Sequence, residues 1–169
     1  ATSILPGCDG VITIPFFAGS GSPYFSSKDR GSVIGLTSSL SQAQLFRSLL
    51  EGITLNIRQT TEIFEKLYGG KISKTTVFGG GTNISLWTQI IADVLSVPIQ
   101  IVPNSSASAI GAAIIGGFGA GMISSTSSMT EKLFSGSKIV NNIRCNSEMY
   151  NGIYERYTAL YNALKPIYQ

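Results

Sequence analysis

The amino-acid sequence predicts a single α/β domain, in which strands and helices alternate along 169 residues. Short β-branched runs such as GVITIPFF at residues 10 to 17 are typical of buried strands. Between such runs, apolar residues recur at helical spacing. The hydrophobic fraction of 43% is close to that of globular chains. This alternation favours largely parallel strands, with helices on the faces of the sheet.

The first half of the chain predicts a strand, a long loop and a long helix. A polar, glycine-rich loop follows the strand at residues 10 to 17 and extends to Gly31. Ser41 and Gln44 have the spacing of a capping box, which marks the start of a helix. Apolar residues then recur at helical spacing as far as Leu67, which predicts one helix of about seven turns.

The second half opens with a predicted strand at residues 74 to 78, which three consecutive glycines follow. The next helix ends before Pro98, and its apolar side chains are Trp87, Ile90, Ile91, Val94 and Leu95. Residues 98 to 103 predict a third strand. Residues 107 to 121 predict a third helix, which is expected to be buried because it is nearly all apolar and its small residues allow close packing.

The C-terminal part predicts a connection and one more helix. Residues 124 to 146 are rich in Ser, Thr and Asn and are predicted to form a loop. A tyrosine-rich helix is predicted from about Ser147, with a buried stripe of Met149, Ile153, Tyr157, Leu160 and Leu164. Burying each such side chain contributes about 1.5–3 kcal/mol, so this helix is expected to dock on the domain.

Composition excludes several kinds of site. The chain has no histidine, which excludes a Ser-His-Asp triad or a His-ligated zinc site within it. Cys8 and Cys145 lie far apart and fit neither a CxxC motif nor a disulfide scaffold, so reduced thiols in the cytosol are expected.

Charge and hydropathy bear on partners and location. The net charge of +3 is spread along the sequence, so nucleic acid is not an expected partner. The nearly apolar segment at residues 109 to 123 is short for a membrane span, so no membrane partner is expected. The sequence shows no secretory leader, and a cytoplasmic location is expected.

The glycines after the second predicted strand allow two interpretations. A strand, a glycine-rich turn and a helix start form an arrangement in which backbone N–H groups meet an anion, and a residue without a Cβ lets a ligand lie on the backbone. A tight turn that needs one positive φ would explain one glycine of Gly79, Gly80 and Gly81 but not three. Asn83 and Ser85 either cap the following helix, or Asn83 also contacts the ligand.

Other glycine-rich nucleotide motifs do not fit this turn. A dinucleotide-binding fingerprint requires glycine at position 84, where this chain has Ile84. The sequence also contains no G-x-x-x-x-G-K-[ST] motif, which excludes a P-loop.

The order of motifs resembles that of the C-terminal domain of the FGGY carbohydrate kinases. GSVIGLTSSLSQAQLFRSLLE at residues 31 to 51 resembles the second signature of that family, and PFFAGSGSPYFSSKDRG at residues 15 to 31 resembles the loop before it. GGGTNISLWTQIIADVLSVPIQIV at residues 79 to 102 resembles the adenine-side glycine loop and the helix that follows. AIGAAIIGGFGAG resembles the family's G-A-A helix.

The resemblance implies an actin-like ATPase domain of the ribonuclease-H-like fold, with a mixed sheet and helices on both faces. Residues 1 to 169 would form one partial C-terminal lobe. The implied activity is phosphorylation of a sugar or polyol by ATP with Mg²⁺, as in a xylulokinase. The adenosine half of ATP would rest on Gly79, Gly80, Gly81 and Asn83.

The resemblance also implies a partner, the N-terminal lobe, which carries the catalytic base and the groups that hold the metal. No catalytic or metal-binding residue is therefore expected in this chain. A homodimer remains an additional alternative. Two other functions also remain open: a non-catalytic actin-like module that binds a nucleotide or a partner, and a scaffold without a ligand.

Four acidic residues are expected to have structural duties. Asp93 is predicted to be a solvated or capping acid on its helix, Asp29 lies in the polar loop, and Asp9 lies close to the first residue of the sequence. Glu51 matches the family signature, and its expected duty is a buried hydrogen bond from helix to loop.

Overall fold

A computed structural model describes residues 4–102 and 106–168 of the chain. The helices and strands are β1 (Ile12–Ile14), β2 (Ser32–Ile34), α1 (Gln42–Tyr68), β3 (Thr75–Val77), α2 (Ser85–Leu95), β4 (Ile99–Ile101), α3 (Ala107–Gly119), α4 (Thr126–Phe134), β5 (Lys138–Val140) and α5 (Arg144–Leu164). Short 3₁₀ turns cover Cys8–Gly10, Gly80–Asn83 and Lys165–Ile167. Pro103, the last residue of the third predicted strand, lies outside the described residues.

The strands form two small sheets. β1 and β2 pair antiparallel, with Thr13 opposite Val33. In the second sheet β3 pairs parallel with β4, and β4 pairs antiparallel with β5. The mixed pairing expected from the resemblance is confirmed, whereas the prediction of largely parallel strands is wrong. Parallel neighbours in a sheet need a crossover connection, usually a helix, and α2 provides one between β3 and β4. The loop that joins β1 to β2 contains no regular helix, and these two strands pair antiparallel.

The long helix α1 begins and ends as the sequence predicts. The Gln44 backbone N–H donates to Oγ of Ser41 at 3.2 Å, and the Ser41 N–H donates to Oε1 of Gln44 at 2.9 Å, which completes the capping box. The helix extends over 27 residues to a left-handed Gly69 with φ of 73°. It positions Leu50 and Leu55 in the core.

The C-terminal helix α5 docks on the domain, as predicted: Ile153 and Tyr157 of the predicted stripe are buried, and Leu160 and Leu164 are partly buried against the core. Tyr150, Ile153, Tyr157 and Tyr161 are buried in the main core with Ile14, Leu55 and Ile90. The predicted Met149 is 44% exposed. Buried tyrosines need a hydrogen-bond partner for the hydroxyl group. The carboxylates of Glu51 and Asp29 accept hydrogen bonds from Tyr150 and Tyr161, so these two rings are buried and Met149 is not.

Two further sequence predictions are wrong. Residues 124 to 146 do not form a loop, because they contain α4 and β5. Ser125 caps α4 by accepting a hydrogen bond from the Ser128 N–H at 3.3 Å, so the serine-rich composition marks a helix start. The helix α3, expected to be buried, has no buried residue among those that the structure describes.

The described residues contain no helix with the length and apolar character needed to cross a membrane.

Candidate nucleotide site

The glycine turn lies at the carboxyl end of β3 and leads directly into α2. After Phe78, Gly79 redirects the chain, and its carbonyl accepts hydrogen bonds from the Thr82 N–H at 3.1 Å and from the Thr82 hydroxyl at 2.8 Å. The Ile84 N–H donates to the Gly81 carbonyl at 3.1 Å. In open α/β sheets, ligands bind beyond the carboxyl ends of the strands, where this turn lies.

The three glycines have three different environments. Gly79 has φ of 103°, in the left-handed region that favours glycine. A Cβ on Gly81 would overlap the ring of Trp87, so this position must remain small for packing. Gly80 has neither constraint, because its φ is not positive and a Cβ built on it meets no atom within 4 Å. Backbone conformation therefore explains why residue 79 is glycine, and packing explains residue 81. Neither explains why residue 80 is glycine, and its backbone is left uncovered.

The one positive φ that a tight turn needs belongs to Gly79, so a side chain at Gly80 would not force an unfavourable backbone conformation. The predicted caps are wrong. The N-cap residue of α2 is Ile84, and no side chain caps this helix end. Within the described structure, the exposed Asn83 side chain makes no hydrogen bond, so its amide is available to a ligand.

Trp87 holds the turn in place, a role that sequence reasoning missed because it counted this residue only as an apolar helix position. The ring packs beneath Gly81, and Nε1 donates to Oγ1 of Thr54 on α1 at 3.0 Å. The signal available in the sequence is that the chain's one tryptophan comes shortly after the glycines.

Two cavities flank the turn, and Val102 lines both of them. A polar cavity of about 600 Å³ lies between α2 and β5, and its polar lining includes Thr82, Asn83, Ser85, Gln89 and Lys138. An apolar cavity of about 450 Å³ begins at Phe78 and extends between α3 and α4. A ligand seated on Gly80 would therefore have polar groups on one side and apolar side chains on the other.

Glu51 is fully engaged in a buried network away from the turn. Its carboxylate accepts hydrogen bonds from the Gly7 N–H at 3.1 and 3.2 Å, from Nε of Arg47 at 2.8 Å and from the Tyr150 hydroxyl at 2.8 Å. The predicted buried hydrogen bond from helix to loop is confirmed. Burial, followed by the nearby Glu51 carboxylate, raises the pKa of Cys8 to about 12.

The other acidic residues also have structural partners. Asp93 is buried, so the prediction of a solvated acid is wrong. It does not cap its own helix α2 either, but accepts hydrogen bonds from the Ile143 N–H at 2.7 Å and from Nδ2 of Asn146 at 2.8 Å, at the start of α5. Asp29 is buried and accepts a hydrogen bond from the Tyr161 hydroxyl at 2.8 Å. The exposed Asp9 accepts one from Nε2 of Gln44 at 2.7 Å.

Across residues 4–102 and 106–168, no three side chains of the types Asp, Glu, His and Cys come together in a way that could hold a metal ion. The bare backbone at Gly80 leaves room for a flat organic group such as a nucleoside.

Comparisons with known proteins find relatives along most of the chain. Residues 2–120 match the model of the FGGY family of carbohydrate kinases, C-terminal domain. Xylulose kinase of Staphylococcus epidermidis is 28% identical over 167 residues, which cover 99% of this chain and 34% of that protein. Glycerol kinase of Carboxydothermus hydrogenoformans is 34% identical over 119 residues, which cover 70% of this chain and 24% of that protein.

A solved structure gives the same result. The crystal structure of xylulose kinase from Rhodospirillum rubrum superposes with a TM-score of 0.81 and 26% identity, over 99% of this chain and 33% of that one. This likeness confirms the predicted actin-like ATPase fold. The chain spans about a third of the length of the xylulose kinases that it matches. It belongs to the FGGY family of carbohydrate kinases and represents the C-terminal domain of that family.

Proposed function

We propose that this chain is the nucleotide-side part of an ATP-dependent sugar kinase that transfers the γ-phosphoryl group of ATP to a sugar hydroxyl. Xylulose is the sugar favoured, because two xylulose kinases match 99% and 95% of this chain, whereas the glycerol kinase compared above matches 70% of it. ATP use and the two free cysteines, Cys8 and Cys145, favour the cytoplasm as its location.

The adenosine half of ATP rests on Gly79, Gly80, Gly81 and Asn83 in this proposal. The observation that carries it is the open backbone of Gly80, which neither φ nor packing requires to be glycine. A planar base can approach such a backbone at a distance that any side chain would prevent. The unpaired amide of Asn83 can then exchange hydrogen bonds with polar atoms of the nucleoside.

The chemical step depends on groups outside this chain. Phosphoryl transfer requires a base for the attacking hydroxyl and Mg²⁺ to offset the charge on the phosphates. The acids Asp29, Glu51 and Asp93 are buried in structural hydrogen bonds, so none of them is the base. This chain's contribution is to bind and orient the nucleotide, while the N-terminal lobe supplies the base and the metal ligands.

The experiment compares the purified 169-residue chain with the longer kinase of which it would be part. With xylulose, ATP and Mg²⁺, we expect product from the longer protein and none from the isolated chain. Product from the isolated chain would show that it contains its own base. A longer protein that binds ATP but phosphorylates neither xylulose, gluconate nor glycerol would instead support a non-catalytic nucleotide-binding module.

A further inference from the structure

The indole of Trp87 lies where the glycine turn, the long helix α1 and two parts of the core meet. The ring packs against the main core and also against a second, smaller cluster of buried residues around Ile99 in β4. Its Nε1 donates a hydrogen bond of 3.0 Å to Oγ1 of Thr54, in the middle of α1. The indole therefore connects α1 to the helix that follows the glycine turn.

Thr54 is a polar residue in an apolar environment. It is fully buried beside Leu55, and its hydroxyl donates to the Leu50 carbonyl of the preceding turn of α1 at 2.7 Å. A threonine in a helix satisfies its own hydroxyl through such a bond. The second bond, which Thr54 accepts from Trp87, is therefore not needed to satisfy Thr54, and its effect is to fix the indole.

The indole in turn supports the backbone of the glycine turn. A Cβ built on Gly81 would overlap Cζ3 and Cε3 of the Trp87 ring, so the Gly81 backbone lies directly against the ring. Gly80 precedes Gly81, and a Cβ built on Gly80 meets no protein atom within 4 Å. A movement of the ring would therefore shift the uncovered backbone on which the adenosine half of ATP is placed.

We propose that Thr54 and Trp87 are positioning residues for nucleotide binding. Thr54 fixes the indole through the hydrogen bond to Nε1, and the indole fixes the glycine turn in the position that binds adenosine. This inference rests on the proposed function, in which the turn binds ATP. A surface that is fixed before the ligand arrives binds more tightly, because less order has to be created on binding.

Thr54→Val tests the positioning role, since it keeps the shape of the side chain and removes the hydroxyl. ATP is titrated into the longer kinase without sugar. We expect affinity to fall about threefold to tenfold, the range that one net hydrogen bond provides. AMP should lose affinity by the same factor, because the turn contacts the adenosine half. Thr54→Ser keeps the hydroxyl and should bind both nucleotides as the unmodified kinase does.

Thr13→Val is the matched control. Thr13 is buried on β1, and its hydroxyl shares a hydrogen bond of 2.8 Å with the Ser48 hydroxyl, away from the glycine turn. Both valine variants should lower the melting temperature by similar amounts, because each loses one buried hydrogen bond. Only Thr54→Val should raise the KM for ATP, with kcat and the KM for sugar unchanged, because the lost interaction affects nucleotide binding alone.

Trp87→Phe tests the same bond from the other side and keeps the test independent of whether Thr54→Val folds. Phenylalanine has no N–H and a smaller ring, so ATP affinity should fall at least as far as in Thr54→Val. The double variant should bind ATP no more weakly than Trp87→Phe alone, because both substitutions remove the same hydrogen bond.

Three results would overturn the proposal. One is unchanged ATP affinity in folded Thr54→Val or Trp87→Phe. Another is an equal loss in Thr13→Val, which would indicate a general loosening of the core. The third is a double variant in which the two losses add. Gly80→Val distinguishes failure of the proposed function: if it weakens ATP binding and Thr54→Val does not, the turn binds the nucleotide but is not positioned by Thr54.

Discussion

The hydroxyl of Tyr150 donates a hydrogen bond of 2.8 Å to Oε1 of Glu51, which joins α5 to α1 across 99 residues of sequence. The same carboxylate oxygen accepts a hydrogen bond from Nε of Arg47, and the Gly7 N–H donates to the carboxylate as well. One buried acid therefore connects the N-terminal segment, the long central helix and the C-terminal helix. Arg47 on the same helix compensates its charge, and its other hydrogen bonds form only when the N-terminal segment and α5 are in place.

Tyr150→Phe tests this network. The substitution keeps the ring but removes the hydroxyl, which leaves Glu51 and Arg47 each without one buried partner. Leaving buried charged groups short of a hydrogen bond should lower the free energy of unfolding by about 1–3 kcal/mol. Urea unfolding of the 169-residue chain measures the change. Tyr68→Phe, at an exposed position, is the control and should cost less than about 0.5 kcal/mol; equal costs would contradict the network.

Asp29→Asn should destabilise the fold in a pH-dependent way. Burial alone would raise the pKa of Asp29, but hydrogen bonds from Ser20, Tyr161 and Ser26 outweigh it and lower the pKa. A lowered pKa means that the carboxylate stabilises the fold above the unfolded-state value of about 3.9 and that this stabilisation is lost as pH falls through the folded-state value. The cost at pH 7 should be about 1.5–3 kcal/mol.

Urea unfolding at pH 7 and pH 3 measures the pH dependence. The difference between the unmodified chain and Asp29→Asn should be smaller at pH 3. Asp9→Asn, at an exposed position, should change stability by less than about 0.5 kcal/mol at pH 7. If the cost of Asp29→Asn were the same at both pH values, the carboxylate charge would not be the stabilising feature.

The two cysteines should differ sharply in reactivity. Cys8 is buried and its pKa is raised to about 12, so it remains a protonated thiol at neutral pH, whereas Cys145 is exposed. The thiolate is the reactive form. A disulfide reagent at pH 7 should therefore label one thiol per native chain and two after unfolding. Rapid labelling of both in the native chain, or of Cys8 in a Cys145→Ser variant, would contradict the buried position of Cys8.

The sequence predicts local structure well where one residue type determines the geometry. The capping box of Ser41 and Gln44 specifies the start of α1, and Glu51 makes the buried hydrogen bond to the N-terminal segment that is expected of a structural acid. Periodicity predicts that Met149 is buried, because periodicity alone does not reveal that carboxylates elsewhere in the chain accept hydrogen bonds from Tyr150 and Tyr161.

Other errors arise from contacts between distant parts of the chain. β5 is too short to be recognised from its sequence, because it is a strand only through its pairing with β4. The apolar sequence of α3 does not reveal how much of the helix the rest of the chain covers. At the site, the sequence indicates that three glycines exceed the needs of a turn. Only the structure distinguishes Gly80 from its neighbours, because it shows that Gly79 has a positive φ and that Gly81 packs against the ring of Trp87.

Gly80 is therefore the position at which the proposed nucleotide site is tested most directly. A Cβ there meets no protein atom within 4 Å and needs no positive φ, so Gly80→Val should fold. Its side chain would occupy the space above the backbone where the adenosine is placed. ATP titration of the longer kinase, without sugar, should show affinity reduced by roughly tenfold to a hundredfold, or about 1–3 kcal/mol.

Gly152→Val is the matched control, since Gly152 is exposed on α5 and a Cβ there also meets nothing within 4 Å. The control should bind ATP as the unmodified kinase does, and melting temperatures should confirm that both variants are folded. We expect weak ATP binding for Gly80→Val alone. A folded Gly80→Val kinase with unchanged ATP affinity would contradict the nucleotide site and leave the glycines as a turn.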